Sequence, residues 1–315
     1  MSEKRSLLRA KDQVVLIKKE LTYGIDSTPS HANAVQFSKI EINATIEKEQ
    51  RENVNGRLGH QGAFTVGEKI EITGTVYLTG SGVAGNAPNY GLLLEMCAHA
   101  VEVKEGLSVT YTPTDVDLAS GTVYWRSGAV QHKATGVRGS VEFTLDPKKV
   151  PVANFKLEGI YSDPELVDAP ISGVDFTVIE NPIAINFKSS SLIFFNEVNP
   201  IAYSLSFNPG IAMSYRDLIG YQGVDLTDRK GDIKIKLETT DRGYIETLAR
   251  AKNNDYGNFA FEFGSEAGSM IRFEAEQIQL SDSPKLAYEN DIGVFDLTAA
   301  IVPKDRNTDY SITFS

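Results

Sequence analysis

Cysteine is almost missing from this chain. Cys97 is the only one in 315 residues, so neither an intrachain disulfide nor a cysteine-based zinc site can form. Set in the run Leu92-Leu-Leu-Glu-Met-Cys, it reads as a small buried hydrophobe. Tryptophan is as scarce: Trp125, within Tyr124-Trp-Arg, reads as a half-buried strand aromatic before a stacking platform for a sugar or base. The four histidines, His31, His60, His99 and His132, fall in unrelated contexts with no His-x-x-x-His or His-Glu-x-x-His spacing. No transition-metal site is expected from them. No window approaches the roughly 18 unbroken apolar residues of a membrane helix. The start, Met-Ser-Glu-Lys-Arg-Ser-Leu-Leu-Arg-Ala, has no apolar run of the kind a secretory signal needs.

Positive charge is also in short supply. The formal net charge is −11, and both halves are acidic, which excludes a conventional basic footprint on nucleic acid. Such a balance serves solubility, or keeps a passing polyanion from adhering. Catalytic patterns are lacking as well. Asp225-Leu-Thr-Asp and Asp115-Val-Asp resemble fragments of calcium loops without the closing glutamate at the twelfth position. The loop from Gly80 to Gly85 has no Gly-Lys-[Ser/Thr] to grip phosphate, and there is no Gly-x-Ser-x-Gly elbow. Most carboxylates sit on polar faces of alternating strands, a solvated position before a glycosidase pair. The expectation is a protein that is not an enzyme and takes no cofactor or metal.

What the chain does have is repetition of pattern. Gly67-Glu-Lys-Ile-Glu-Ile-Thr-Gly-Thr-Val-Tyr-Leu and Gly231-Asp-Ile-Lys-Ile-Lys-Leu-Glu are alternating strands, each after a polar loop and each before a short helix. The helices are expected near 90–99 and 243–252. Each half then closes on a hairpin, 138–145 with 152–161 and 269–280 with 292–302. The reading is mainly β, in two tandem β-sandwich or barrel modules, each with a short flanking α-helix. The boundaries are an N-terminal arm at 1–33, a first module at 34–162, a linker at 163–199 and a second module at 200–315. Within the arm, Val14-Val-Leu-Ile is an apolar patch able to add an edge strand. The polar segment 47–66 reads as a loop too long to be idle.

Several stretches carry a resemblance. Val76-Tyr-Leu-Thr-Gly-Ser-Gly-Val-Ala-Gly-Asn-Ala-Pro-Asn-Tyr-Gly-Leu-Leu-Leu-Glu-Met-Cys is similar to the major tail tube protein of long-tailed, siphovirus-type bacteriophages. So are Lys133-Ala-Thr-Gly-Val-Arg-Gly-Ser-Val-Glu-Phe-Thr-Leu, Phe155-Lys-Leu-Glu-Gly-Ile-Tyr, Tyr23-Gly-Ile-Asp-Ser-Thr-Pro and Tyr215-Arg-Asp-Leu-Ile-Gly. The resemblance implies a tail-tube-type β-sandwich with a flanking helix, assembling into rings that stack into a hollow tube for DNA. It places the protein in the virion tail, assembled in the host cytoplasm. Implied partners are copies of itself, a tape measure protein, tail-end proteins, and double-stranded DNA that passes without specific binding. Ordinary rings have six one-module chains, so a tandem chain would close the same ring as a pseudo-sixfold trimer.

Two sets of residues follow as candidates. Lys48, Arg51 and Arg57 in the polar segment are expected to make contacts between rings. Glu71, Glu142, Glu158, Glu238, Glu274 and Glu276 are expected either to line the channel, where negative charge lets phosphates slide, or to face outward and aid solubility. Competing readings are a secretion-system-like tube protein and a carbohydrate-binding or hydrolytic phage tail β protein.

Overall fold

Branched and aromatic side chains alternating with polar ones make most of this chain strand. The computed structural model describes residues 12–54, 56, 58–167, 173–177 and 179–315. Strands β1 (Gln13–Lys19), β2 (Ala34–Val35), β3 (Lys39–Gln50) and β4 (Ala63–Tyr77) lead to helix α1 (Gly91–Met96). Then come β5 (His99–Lys104), β6 (Ser108–Pro113), β7 (Gly121–Ser127), β8 (Val130–Thr144) and β9 (Val152–Leu166). The chain continues through β10 (Ser190–Phe194), β11 (Glu197–Val198), β12 (Ala202–Asn208), β13 (Ile211–Leu218), β14 (Tyr221–Arg229) and β15 (Asp232–Glu238). Helix α2 (Asp241–Asn253) precedes β16 (Tyr256–Phe263), β17 (Ile271–Leu280), β18 (Lys285–Glu289), β19 (Ile292–Ile301) and β20 (Ser311–Phe314).

Eighteen of these strands form one sheet, and β13 and β14 form a separate two-stranded ribbon. Among the described residues the large sheet runs on without a break, so two separate modules are not evident from its pairing alone. Within it, one antiparallel order is β1–β7–β8–β9–β4–β3. Another is β10–β16–β17–β19–β15–β12. The two meet where β8 pairs with β12, Phe143 opposite Phe207 and Thr144 opposite Ser206. They meet again where β20, which pairs with β17, also pairs with β6.

The alternation of β4 decides its orientation. Ile70, Ile72 and Val76 are buried, and Thr73 and Tyr77 on the opposite face are exposed. Gly74 lies in the buried row with no side chain of its own. The ring of Phe37 covers it so closely that an added Cβ would come within 2.5 Å of a ring carbon. One apolar cluster spans both pairing orders, from Val15 to Phe314. At its middle, Phe207 has ring centroids of Phe143, Phe259, Phe273 and Tyr310 at 6.2, 5.9, 5.3 and 5.3 Å.

The arm's apolar patch does form an edge strand, on its own chain: β1 pairs along β7 from Gln13 opposite Ser127 to Lys19 opposite Gly121. Strand β9 runs on to Leu166, and β10 and β11 fall inside the stretch read as linker. The segment 47–66 is strand at its two ends, with β3 and β4 pairing out to Gln50 opposite Ala63 past a bulge at Glu47 and Lys48, and the described residues between them form the loop. All of its described residues but Gln61 are exposed, so the ladder of backbone bonds holds its strands without an apolar face. Helix α1 is shorter than expected because His99 already belongs to β5. It buries Leu93, Leu94 and Met96 completely, whereas α2, capped by Thr240 accepting from the Gly243 amide at 3.2 Å, buries none of its residues.

Candidate assembly surfaces

Three surfaces stand out, and each is built from strand geometry. The first is the polar face of the sheet made by β3, β4, β9 and β8 and continued through β12, β15, β19 and β18. Cross-strand partners share a face, so Glu71 on β4 stands beside Glu158 on β9, and Glu158 beside Arg138 on β8. Two adjacent carboxylates would repel. Lys69, on the same face of β4, puts its Nζ 2.8 Å from Glu71 Oε1 and 3.3 Å from Glu158 Oε1. The hydrogen bond to Glu71 in turn raises the lysine's pKa above its ordinary value. Glu142 is exposed on the same face, opposite Asn154, whose amide oxygen accepts from Thr75 Oγ1 at 2.9 Å. Across the β8–β12 join, this face continues into Lys234, Lys236 and Glu238 of β15. There Lys236 lies between Glu289 at 3.4 Å and Asp296 at 3.7 Å.

Four of the six acidic candidates, Glu71, Glu142, Glu158 and Glu238, therefore share one face, and lysines accompany them. The other two lie on a different stretch. Glu274 is in register with Ala260 and Ser311 and pairs with Arg272 at 3.2 Å. Glu276 pairs with Lys304 at 3.0 Å. The lysines were the missed part of this face. Their signal was present in the alternation Ile233-Lys-Ile-Lys-Leu along β15, where each Lys sits between buried residues.

The second surface is the outer half of the β3–β4 hairpin. Lys48 stands opposite Thr65. Arg51 lays its guanidinium 4.8 Å from the Phe64 ring centre, and its amide donates to the Gly62 carbonyl at 2.9 Å. Arg57 lies outside the described residues. The hairpin holds Ile46, Phe64 and Val66 in water, with Phe64 on the face of Glu49 and Ile46 on the other.

The third is the β13–β14 ribbon, which is clamped across β8 and β9. Tyr23 is the pin. Its hydroxyl donates to the Gly136 carbonyl at 3.1 Å and accepts from the Val224 amide at 2.6 Å. Arg138 stacks on the Tyr23 ring, 4.4 Å from its centre, and donates to the carbonyls of Val224 at 2.9 Å and Leu118 at 2.8 Å. Gly136 sits at a φ of 59°, and any Cβ there would meet the Tyr23 ring at 2.9 Å, so both backbone shape and space demand glycine. Tyr215 completes the clamp by donating to the Glu68 carbonyl at 2.8 Å.

Among the described residues, no group of three or more His, Cys, Asp or Glu side chains is placed to hold a metal ion. Burial pushes the Cys97 thiol pKa well up, which leaves it a poor nucleophile. The model of the phage tail tube protein family matches residues 10–314. The chain belongs to that family. It is thus a structural component of the phage tail, part of the virion, in a family whose members build a tube from copies of themselves. Comparison with curated protein sequences gives no match. No helix among the described residues is long and apolar enough to cross a membrane.

Proposed function

We propose that this tail tube protein closes into rings of three chains, each chain supplying two adjacent positions of a pseudo-sixfold ring. The rings stack into the hollow tube of a siphovirus-type tail, and double-stranded DNA passes through it at ejection. The observation that carries this reading is the recurrence of one strand order. Each series runs from a strand before the repeat, through the hairpin pair, to the two strands ahead of the helix. Each has its helix after the same strand, α1 after β4 and α2 after β15. The β8–β12 join then sets the two units edge to edge within one chain, the relation that successive subunits of a ring require.

In this arrangement the polar face through Glu71, Glu142, Glu158 and Glu238 lines the bore. Its carboxylates repel phosphate, and Lys69 and Lys236 hold the net field down, so the duplex finds no strong site. Lys48, Arg51 and Arg57 make the contacts to the neighbouring ring, the first two from the outer β3–β4 hairpin. A tape measure protein inside the tube and tail-end proteins at its two mouths complete the set of partners. Electron microscopy of the concentrated protein tests this. Hollow tubes whose ring averages show three chains with six similar lobes are expected. Compact particles without a bore at every concentration would refute it.

A further inference from the structure

Within one chain, the end of β8 that extends past β7 is sealed by the edge strand β12. The counterparts of these two, β18 and β3, are open on the corresponding sides. Among the described residues, β3 pairs only with β4, and β18 only with β19. The burial difference between equivalent positions is large. Tyr77 ends β4 and Glu238 ends β15; aligning them sets Val76 on Leu237 and Ile72 on Ile233. One step along the ladders, Ile42 opposite Ile72 corresponds to Phe207 opposite Ile233. In the other direction, Phe143 reaches Val76 through Ala153, and Leu286 reaches Leu237 through Phe295. Phe143 and Phe207 face each other and are 0% exposed, whereas Leu286 is 42% exposed and Ile42 only half-buried.

We infer that β18 of one copy pairs antiparallel with β3 of the next copy, in the register that sets Leu286 opposite Ile42. This rests on the ring reading above and deepens it by naming the edges and their alignment. The register was transferred from the β8–β12 join alone, yet it makes chemical sense along its whole length. On the core-side face it sets Tyr288, 73% exposed, against Ile40, next to Leu286 against Ile42. On the polar face it sets Glu289 against Lys39, Ala287 against Glu41 and Lys285 against Asn43, and every opposed pair is compatible. A slip by one residue would turn Leu286 and Tyr288 against Glu41 and Lys39, or against Asn43 and Glu41, and break both faces at once. Helix α2 borders the join: Tyr244 stacks on Phe295, the cross-strand neighbour of Leu286, and leaves Ile245 and Leu248 exposed. Those side chains are available to cover the incoming β3.

Directly opposed antiparallel residues have Cα atoms about 4.5 or 5.5 Å apart, inside the range of about 4.4–6.8 Å that a disulfide spans. The full-length I42C/L286C variant, oxidised under conditions where the unmodified chain forms rings, is therefore expected to become a covalent ladder ending at three chains, with little free 34.5 kDa chain left. The I42C/A287C variant, whose side chains would lie on opposite faces, is expected to stay uncrosslinked, as is L286C alone. Rings from the unmodified chain with no link in I42C/L286C would overturn the register while leaving the ring reading intact. Covalent dimers from L286C alone would overturn it too, by showing β18 paired with itself. If the unmodified chain forms no rings, both readings fall. A second variant guards against a folding artefact. Lys39→Glu is expected to cut ring formation several-fold, and adding Glu289→Lys to restore it; no rescue in a folded double variant counts against the pairing.

Discussion

Phe207 and Ile42 occupy corresponding places in the two strand series, so truncating each to alanine should have unequal costs in the isolated chain. Phe207 is wholly buried among four aromatic rings. Removing a buried phenyl group costs about 3–5 kcal/mol, through lost transfer energy and the cavity left behind. The neighbouring rings are fixed by β8, β16, β17 and the segment before β20, so collapse into the space is limited, which points to the upper half, about 4–5 kcal/mol. Ile42 is only half-buried, because its edge is open. A full Ile→Ala truncation costs about 2–5 kcal/mol, and an edge position should lose about 1 kcal/mol. Urea unfolding followed by far-UV circular dichroism, at concentrations where the chain is monomeric, reads both values from the midpoint at constant slope. Under assembling conditions the order reverses in kind: Ile42→Ala should mainly weaken association. Equal destabilisation of the monomer by the two substitutions would refute the argument that one edge is sealed and the other open.

Two further outcomes follow from single side chains. Burial lowers the pKa of His99 to about 4, and its ring sits between the Leu94 carbonyl at 2.9 Å and the Tyr310 hydroxyl at 2.8 Å. Its folded pKa lies below the unfolded value of about 6.5, so the unfolded state binds the proton first and stability falls as pH drops from about 6.5 toward 4. By pH 5 the loss should be about 2 kcal/mol at 1.36 kcal/mol per unit; a midpoint-versus-pH series should show this slope, and His99→Gln should remove it. Thr240→Ala deletes the only side-chain cap of α2 and should cost about 1 kcal/mol, seen as a lower thermal midpoint with the core signal in near-UV circular dichroism unchanged.

How much of this was legible in the chain depended on distance from the core. The hairpins at 138–145 with 152–161 and at 269–280 with 292–302 were readable because Val141, Phe143 and Ile278 are buried while their neighbours are not. The ribbon at 211–229 and the outer hairpin at 47–66 were read as loops. Their strands stand off the core or lie on other strands, so neither face is cleanly apolar and the period-2 signal is lost. Strand β18 was missed for its brevity, five residues with a mixed pattern. The β8–β12 join could not be read at all: Phe143 and Phe207 lie 64 positions apart, and no local pattern encodes which distant edge meets which. Candidate charges were found by alternation, which places a residue on a face but does not reveal the Lys69 that neutralises Glu71 and Glu158.

The chemistry of the two kinds of edge also differs in a way that the ring proposal accounts for. The β8–β12 join forms once, during folding, between parts of one chain whose effective concentration is high. It never has to survive in water, and it is made of two phenylalanines packed into the shared core. An edge that joins separate chains must wait exposed, where bare apolar strands pair with any other edge. β3 carries Lys39, Glu41, Glu47, Lys48 and Glu49 along that wait, and β18 is five residues long between Lys285 and Glu289. Smaller aliphatic groups, Ile40, Ile42 and Leu286, replace the aromatic pair. Such edges give up affinity per contact, which closure of a ring restores by making every join at once. What they gain is selectivity, because charges at fixed positions accept only a partner strand whose own charges and apolar residues fall in the matching register.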